Sequence, residues 1–309
     1  MKKKLSILVL TVLVLASVAF AASAQSYTIG MVAAGLGAEI NAAYYNAVQT
    51  RLNELGHKML GAVADNDDER FISGIETMIQ ANVDAIIIGW GNTEAYRNVI
   101  KQAEQAGIPV VGIYAGLVDG MVFDVGSNDF AMSSKVSKYM ADRIRAQGGG
   151  DIALIFSDDQ VWGRARKAAL KAVLTEYPDI NIVAEHAVNW NNVVEDAINA
   201  GQNILLANPS LKAFWGVFDL PVVGVAQSLM SMGRDDVFVV GIDGDPETLE
   251  MIAHTNVYGA SVRQQPELIG ETAANLLLDY LNGDWKPVSG TIDVEAILVT
   301  PSNVHNFID

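Results

Sequence analysis

From Tyr27 onward, short unbroken apolar runs alternate with stretches whose apolar residues recur every three or four positions. The first pattern predicts buried strands and the second amphipathic helices. Strands are expected at 28–33 (TIGMVA), 59–63, 85–89 (AIIIG), 109–114 (PVVGIY) and 121–125. Helices are expected between them. Residues 39–55 carry Ile40, Tyr44, Val48, Leu52 and Leu55 on one face, and Gly56 stops that helix. Further helices are expected at 71–79, 94–105 and 130–146. Gly148-Gly149-Gly150 then punctuates the chain and the alternation restarts with the run Ile152, Ala153, Leu154, Ile155, Phe156. Strands at 180–184, 213–218, 237–242, 258–262 and 294–299 follow. The helices between them are expected at about 163–176, 193–206, 222–232, from 247, and 268–281. Repeated strand–helix units imply parallel sheets covered on both faces. These eleven strands exceed one comfortable open sheet, so the fold class is α/β, as two doubly wound Rossmann-like domains meeting near residues 126–150.

The first 24 residues stand outside this pattern. Lys2, Lys3 and Lys4 precede an apolar stretch from Leu5 to Phe20, and Ala22-Ser23-Ala24 forms an A-x-A cleavage site before Gln25. That is a secretory signal peptide, so the mature chain is expected to start near Gln25. No later segment approaches the roughly 20 apolar residues of a spanning helix. The signal removes three lysines and no acid, leaving 17 basic against 36 acidic residues and a net charge of −19. Such a field repels nucleic acid and anionic surfaces and favours a neutral or cationic ligand. The chain has no cysteine. It therefore has no disulfide, no thiol nucleophile and no lipidation site at the signal junction, and free diffusion in a periplasm is expected.

Several motifs fail as chemistry. Gly35-Leu36-Gly37 follows a strand, but Ile40 stands where the third glycine of a dinucleotide fingerprint belongs. The stretch Asp65-Asn66-Asp67-Asp68-Glu69 lacks the fixed glycine and distal glutamate of a calcium loop and reads as a helix cap. His57, His186, His254 and His305 are scattered without ligand spacing, and no G-x-S-x-G elbow occurs. Neither catalytic residues nor a metal nor a cofactor is expected.

The residues just beyond strand ends form a group of their own. They include Trp90, Tyr114, Trp162, Trp190 and Phe218, with Asp158, Asp159, Gln160, Arg164 and Arg166 around the loop after the 152–156 strand. Open α/β sheets bind ligands at the carboxyl ends of their strands. Rings there can stack on the C–H faces of a sugar, while charged and amide groups bind its hydroxyls.

With these residues placed, the mature chain resembles the periplasmic sugar-binding proteins of ABC importers, the type I, ribose-binding protein-like family. The resemblance rests on IGMVAAGLGAEINAAYYNAVQTRLNELG, QAGIPVVGIY, WGRARKAALKAV, VFVVGIDGDPE and ASVRQQPELIGETAANLLL. It implies two lobes joined by a three-crossing hinge, with crossings near Ser127, Gln264–Gln265 and Ile292. The amino-terminal lobe would then comprise 25–127 plus 265–292, and the carboxy-terminal lobe 128–264 plus 293–309. It also implies that Arg166, Asp243 and Gln264 contact the sugar and that Trp190 stacks on it. Departures are concentrated in the first lobe. Ala38-Glu39-Ile40-Asn41 stands where the family has asparagine, proline and two aromatics. Tyr114 replaces an aspartate, and Phe218-Asp219 replaces an asparagine–aspartate pair. Glu39, Asn41, Trp90, Tyr114, Phe218, Asp219 and Trp162 are thus the remaining candidate ligand contacts.

The expected function is capture of a small neutral sugar or sugar alcohol and delivery to an inner-membrane ABC permease by a monomer without enzymatic activity. A nucleoside or other flat heterocycle is an alternative ligand, and a chemoreceptor or sensor kinase an alternative partner. A secreted oxidoreductase on the same architecture is disfavoured by the incomplete glycine fingerprint.

Overall fold

The computed structural model describes residues 25–91 and 93–308, so the expected signal peptide at 1–24 lies outside the described residues. In chain order the first sheet receives β1 (Thr28–Ala33), β2 (Lys58–Val63), β3 (Ala85–Gly89), β4 (Val110–Ile113) and β5 (Met121–Gly126). Between them run α1 (Glu39–Glu54), α2 (Asp68–Gln80) and α3 (Thr93–Gln105). After β5 the chain passes to a second body with α4 (Asp129–Arg145), β6 (Gly150–Phe156), α5 (Val161–Leu174), β7 (Ile180–Ala187) and α6 (Val193–Ala207). It continues through β8 (Ala213–Gly216), α7 (Asp219–Met232), β9 (Phe238–Asp243), α8 (Pro246–His254) and β10 (Tyr258–Arg263). The chain then returns, and α9 (Pro266–Asn282) packs on α1 while β11 (Thr291–Asp293) pairs with β5. A third passage leads to β12 (Ile297–Val299), which pairs with β10.

The result is two α/β lobes. The strand orders are β11-β5-β4-β3-β1-β2 and β12-β10-β9-β8-β6-β7, the same pattern twice. All pairings are parallel except β12 on β10. The central strand β3 is buried at all five positions, as its unbroken apolar run predicts. Edge strand β7 alternates toward solvent instead, and edge strand β2 has no fully buried position. In each lobe the order reverses beside the first strand, between β1 and β3 and between β6 and β8. Such a switch point opens a crevice at the carboxyl ends of the strands.

Two expectations change. The strand expected at 294–299 is confined to Ile297–Val299, and a separate strand on the other sheet, Thr291–Asp293, precedes it. Val294 N donates to Gly126 O at 2.7 Å and its side chain joins the first lobe's core, whereas Ala296 is buried in the second. Ile292 therefore lies inside the first sheet, and the third passage falls at 294–296. The helix expected from 222 begins at Asp219 and takes Pro221 into its first turn, where a missing N–H costs nothing. Asp67 caps α2 by accepting from Arg70 N at 2.9 Å, in keeping with the capping role of the acidic stretch. Among the described residues no helix is long and apolar enough to cross a membrane.

Candidate functional site

Helix α5 carries Arg166 inward because Gly163, Arg166, Lys167 and Leu170 share one buried face at helical spacing. Gly163 is required there. A Cβ would stand 2.2 Å from the carbonyl oxygen of Ser157, so this turn approaches the strand end more closely than any side chain permits. The Arg166 guanidinium is almost fully enclosed. Its Nε donates to Asp129 Oδ1 at 2.8 Å, and its Nη1 to Val217 O at 2.9 Å and Asp243 Oδ1 at 3.4 Å. A buried cation between two carboxylates satisfies the demand that buried charge be paired. It also lies 4.9 Å from the Trp162 ring.

Around it stand three rings. Trp190 and Phe218 are stacked with centroids 5.6 Å apart, and Trp162 meets both edge-on. Trp190 is 46% exposed, a large value for such a ring. Its indole N–H donates to Asp159 Oδ2 at 2.7 Å, and Ser157 Oγ donates to the other oxygen of Asp159. The acidic loop after β6 thus aims Trp190, and Asp158 binds Lys167 at 3.1 Å.

Asp243 ends β9 at φ +135°, a conformation that disfavours side chains. Its Oδ1 accepts from Gln264 Nε2 at 2.7 Å as well as from Arg166. Burial pushes the Asp243 carboxyl up to about 7, against the lowering influence of Arg166. The next two residues are held from behind. Gly244 N and Asp245 N donate to Asp219 Oδ2 at 2.7 and 3.3 Å, while Tyr258 and Ser261 hydroxyls also donate to that carboxylate. Asp219 is entirely buried, and burial raises its pKa. This corrects its expected role as a ligand contact. With its oxygens taken and no surface, it is the internal support of the Asp243 turn.

The first lobe presents a different group. Trp90 follows β3 and packs at 5.8 Å on Tyr44, which lies 5.7 Å from Tyr114. Tyr114 ends β4 at φ +51°, and its hydroxyl accepts from Ser127 N at 2.6 Å. The next two amides, Ala115 N and Gly116 N, donate to buried Asp124 at 3.0 and 3.1 Å. Burial raises Asp124 to about 6. Tyr44 OH donates to Gln264 Oε1 at 2.8 Å. Trp90 Nε1 is buried without a partner among the described residues.

A cavity of about 360 Å³ lies between α1 of the first lobe and the β9–α8 turn of the second. Glu39, Asp243, Asp245 and Gln264 line it, but Asn41 does not; Ile40 and Ala43 occupy the inward face of α1 instead. The aromatic groups of both lobes stand outside its lining, joined to it through Arg166–Asp243 and Tyr44–Gln264. Burial, then the charges of Asp243, Asp219 and Glu39, raise Asp245 to about 8. The wall is therefore rich in hydrogen-bonding carboxyl groups and hostile to an anion. Among the described residues no group of three or more His, Asp or Glu is placed to hold a metal ion.

Nine of the eleven candidates thus gather at the facing ends of the two sheets: Arg166, Asp243, Gln264, Trp190, Phe218, Trp162, Tyr114, Trp90 and Glu39. Asp219 lies behind them and Asn41 beside them. Tyr44, Asp129 and Asp245 were not anticipated as site residues. Tyr44 reads as one apolar position of a helix stripe; the available signal was its hydroxyl, which a buried tyrosine must pair.

The sequence matches the family model described as a periplasmic binding protein domain over residues 29–284. The ribose import binding protein of Bacillus subtilis is 25% identical over 292 residues, covering 89% of this chain and 88% of that protein. The D-allose-binding periplasmic protein of Escherichia coli is 30% identical over 182 residues, covering 57% of each. Among solved structures, an ABC sugar transporter subunit from Rhodobacter sphaeroides superposes with a TM-score of 0.80 at 27% identity, covering 90% of this chain and 99% of that one. A solute-binding protein from Agrobacterium vitis with bound allitol gives 0.80 at 26%, covering 91% and 97%.

Proposed function

The chain belongs to the periplasmic binding protein domain family, a family of solute-binding proteins, and from that premise we propose that it captures a small neutral sugar or sugar alcohol between its lobes and delivers it to an inner-membrane ABC permease. The observation that carries this reading is the Arg166–Asp243 pair beside an exposed, oriented Trp190. Arg166 has Nη2, and Asp243 has Oδ2, without a protein partner among the described residues. A donor and an acceptor set side by side match the vicinal hydroxyls of a polyol, and Trp190 offers an apolar face to its C–H groups. The acidic wall of Glu39, Asp243 and Asp245 disfavours phosphorylated or carboxylated solutes. The ligands named for the relatives, ribose, allose and allitol, are of the same neutral, polyhydroxylated class.

Three passages of chain between the sheets, at 127–128, 264–265 and 294–296, serve as the hinge, dividing an amino-terminal lobe from a carboxy-terminal one. A ligand touching both lobes stabilises only the closed arrangement, so binding shifts an open–closed equilibrium. The protein acts as a monomer in the periplasm after cleavage near Gln25, without catalysing a reaction on its ligand. The expected readout is a thermal-shift screen of pentoses, hexoses, polyols and nucleosides. A tight ligand at 1,000 times its dissociation constant stabilises by about 4 kcal/mol. Stabilisation by a neutral sugar or polyol is predicted; a shift with nucleosides alone overturns the ligand class.

A further inference from the structure

Gln264 is 4% exposed and both ends of its amide are engaged. Nε2 donates to Asp243 Oδ1 at 2.7 Å, and Oε1 accepts from Tyr44 OH at 2.8 Å. Chemistry fixes this orientation. Asp243 Oδ1 accepts from Arg166 and so carries no proton; the NH2 end must therefore face it, and the carbonyl end then needs a donor. Tyr44 is the donor within reach, and it belongs to the other lobe. Its ring is wedged between Trp90 and Tyr114 at 5.8 and 5.7 Å, so the hydroxyl has little freedom to leave. Tyr44 itself is 3% exposed. Each end of this amide keeps one further hydrogen-bonding position, an N–H and a lone pair, while Asp243 Oδ2 has no protein donor among the described residues.

We propose that Tyr44 and Gln264 form a positioning pair. The Tyr44 hydroxyl locks the Gln264 carboxamide, the carboxamide holds Asp243 through Oδ1, and Asp243 Oδ2 is thereby presented to the ligand. Gln264 thereby acts through Asp243, in addition to the direct contact implied by the sequence resemblance. Tyr44 enters as a determinant of affinity carried by α1. The proposal rests on the reading of Asp243 as a ligand contact.

The electrostatic setting makes the role measurable. Asp243 faces Arg166 from α5, Asp129 from α4, Asp219 from α7, Tyr44 from α1 and its own neighbour Asp245. Glu39 from α1 and the Arg263–Glu267 pair line the same cavity. Burial, Asp219 and Asp129 favour its neutral form, whereas Arg166 and the Gln264 hydrogen bond favour the carboxylate. Losing the Gln264 bond must therefore raise the pH at which Asp243 ionises. A flipped or wandering amide gives the same sign as a deleted one.

The test is the carbon-13 signal of the Asp243 carboxyl, assigned by Asp243→Asn, titrated in the ligand-free protein and in Tyr44→Phe and Gln264→Leu. Tyr44→Phe keeps the ring and removes only the hydroxyl. Its midpoint is expected to move to higher pH, on the order of one unit for a charge-assisted hydrogen bond. Gln264→Leu is expected to move it as far or farther. An unmoved midpoint in Tyr44→Phe overturns the pair. Affinity for a neutral polyol, measured from pH 5.5 to 8.5, should follow the same displacement. Because the titration needs no ligand, a protein that binds no sugar refutes the functional reading while the midpoint still judges the pair.

Discussion

The two lobes solve one structural problem twice and put the solutions to different uses. Each sets a residue at positive φ where a central strand ends, Tyr114 after β4 and Asp243 at the end of β9. Each holds the next two backbone amides on a buried aspartate, Asp124 in the first lobe and Asp219 in the second. The supports come from opposite neighbours, since Asp124 lies on the following strand β5 and Asp219 opens α7 after the preceding strand β8. A buried carboxylate is costly alone, but it accepts several donors at once and can anchor a turn the backbone would otherwise refuse. What each turn presents then diverges. The second lobe shows charge and an exposed indole: Asp243, Arg166 and Trp190. The first shows aromatic surface whose hydroxyls are already committed to Ser127 and Gln264. On the proposed function, the second lobe grips the ligand and the first covers it.

The largest effect that could break this comparison lies at Arg166. Replacing it with Leu leaves Asp129 and Asp243 buried without a cation, a change of about 3–5 kcal/mol in stability. Urea unfolding should show that loss and calorimetric titration should show no binding; unchanged affinity would remove Arg166 from the grip. Next is Trp190→Ala. Its ring is 46% exposed, so stability should change little, whereas affinity should fall by about 1.5–3 kcal/mol, the value of a buried aromatic contact. Full affinity in this variant would place the ligand elsewhere.

A smaller effect is expected across the cleft. Trp90→Ala should weaken binding by less than Trp190→Ala, because Trp90 is partly enclosed by Tyr44 and covers rather than holds. Equal or greater loss would reverse the roles of the lobes. Its indole N–H has no partner among the described residues, so Trp90→Phe should leave stability nearly unchanged in thermal denaturation.

The smallest effect concerns the supports. Asp124 is raised from an ordinary carboxyl value to about 6 by burial. A group raised on folding favours the native state below its unfolded pKa, and that contribution is lost as pH climbs to the folded value. Stability attributable to Asp124 therefore declines between about pH 4 and 6. Asp124→Asn should flatten the unfolding free energy over that interval in denaturant titrations at stepped pH; an unaltered slope would mean that Asp124 does not titrate there.

Most of the fold was legible because its signals are local. The unbroken runs AIIIG and FVVGID, the glycine stops and the restart after Gly150 each depend on a few neighbouring residues. The strand expected at 294–299 misled because one apolar run served two sheets, a division made by pairing with Gly126 and Arg263 far away in sequence. The place where the second-lobe candidates gather was equally legible, since Arg166 lies on the helix after β6 and Asp243 ends β9. Asp219 looked like one of them, but side-chain direction is settled by what surrounds it, and Gly244, Tyr258 and Ser261 draw it inward. In the first lobe Trp90 and Tyr114 were legible beyond strand ends, and Tyr44 was hidden for the same reason as Asp219. Tyr44 occupies a helix stripe that would bury any apolar residue, and only the placement of Gln264 beside it reveals that its hydroxyl has a task.

The central claim is that a neutral polyhydroxylated solute is clamped between the lobes. Small-angle X-ray scattering of the mature protein, with and without a saturating sugar or polyol found by thermal shift, tests it most directly. The account predicts a smaller radius of gyration with ligand, and in Trp190→Ala the same contraction only at a ligand concentration roughly ten to a hundred times higher. A ligand that binds tightly and leaves the radius of gyration of the wild-type protein unchanged would contradict it.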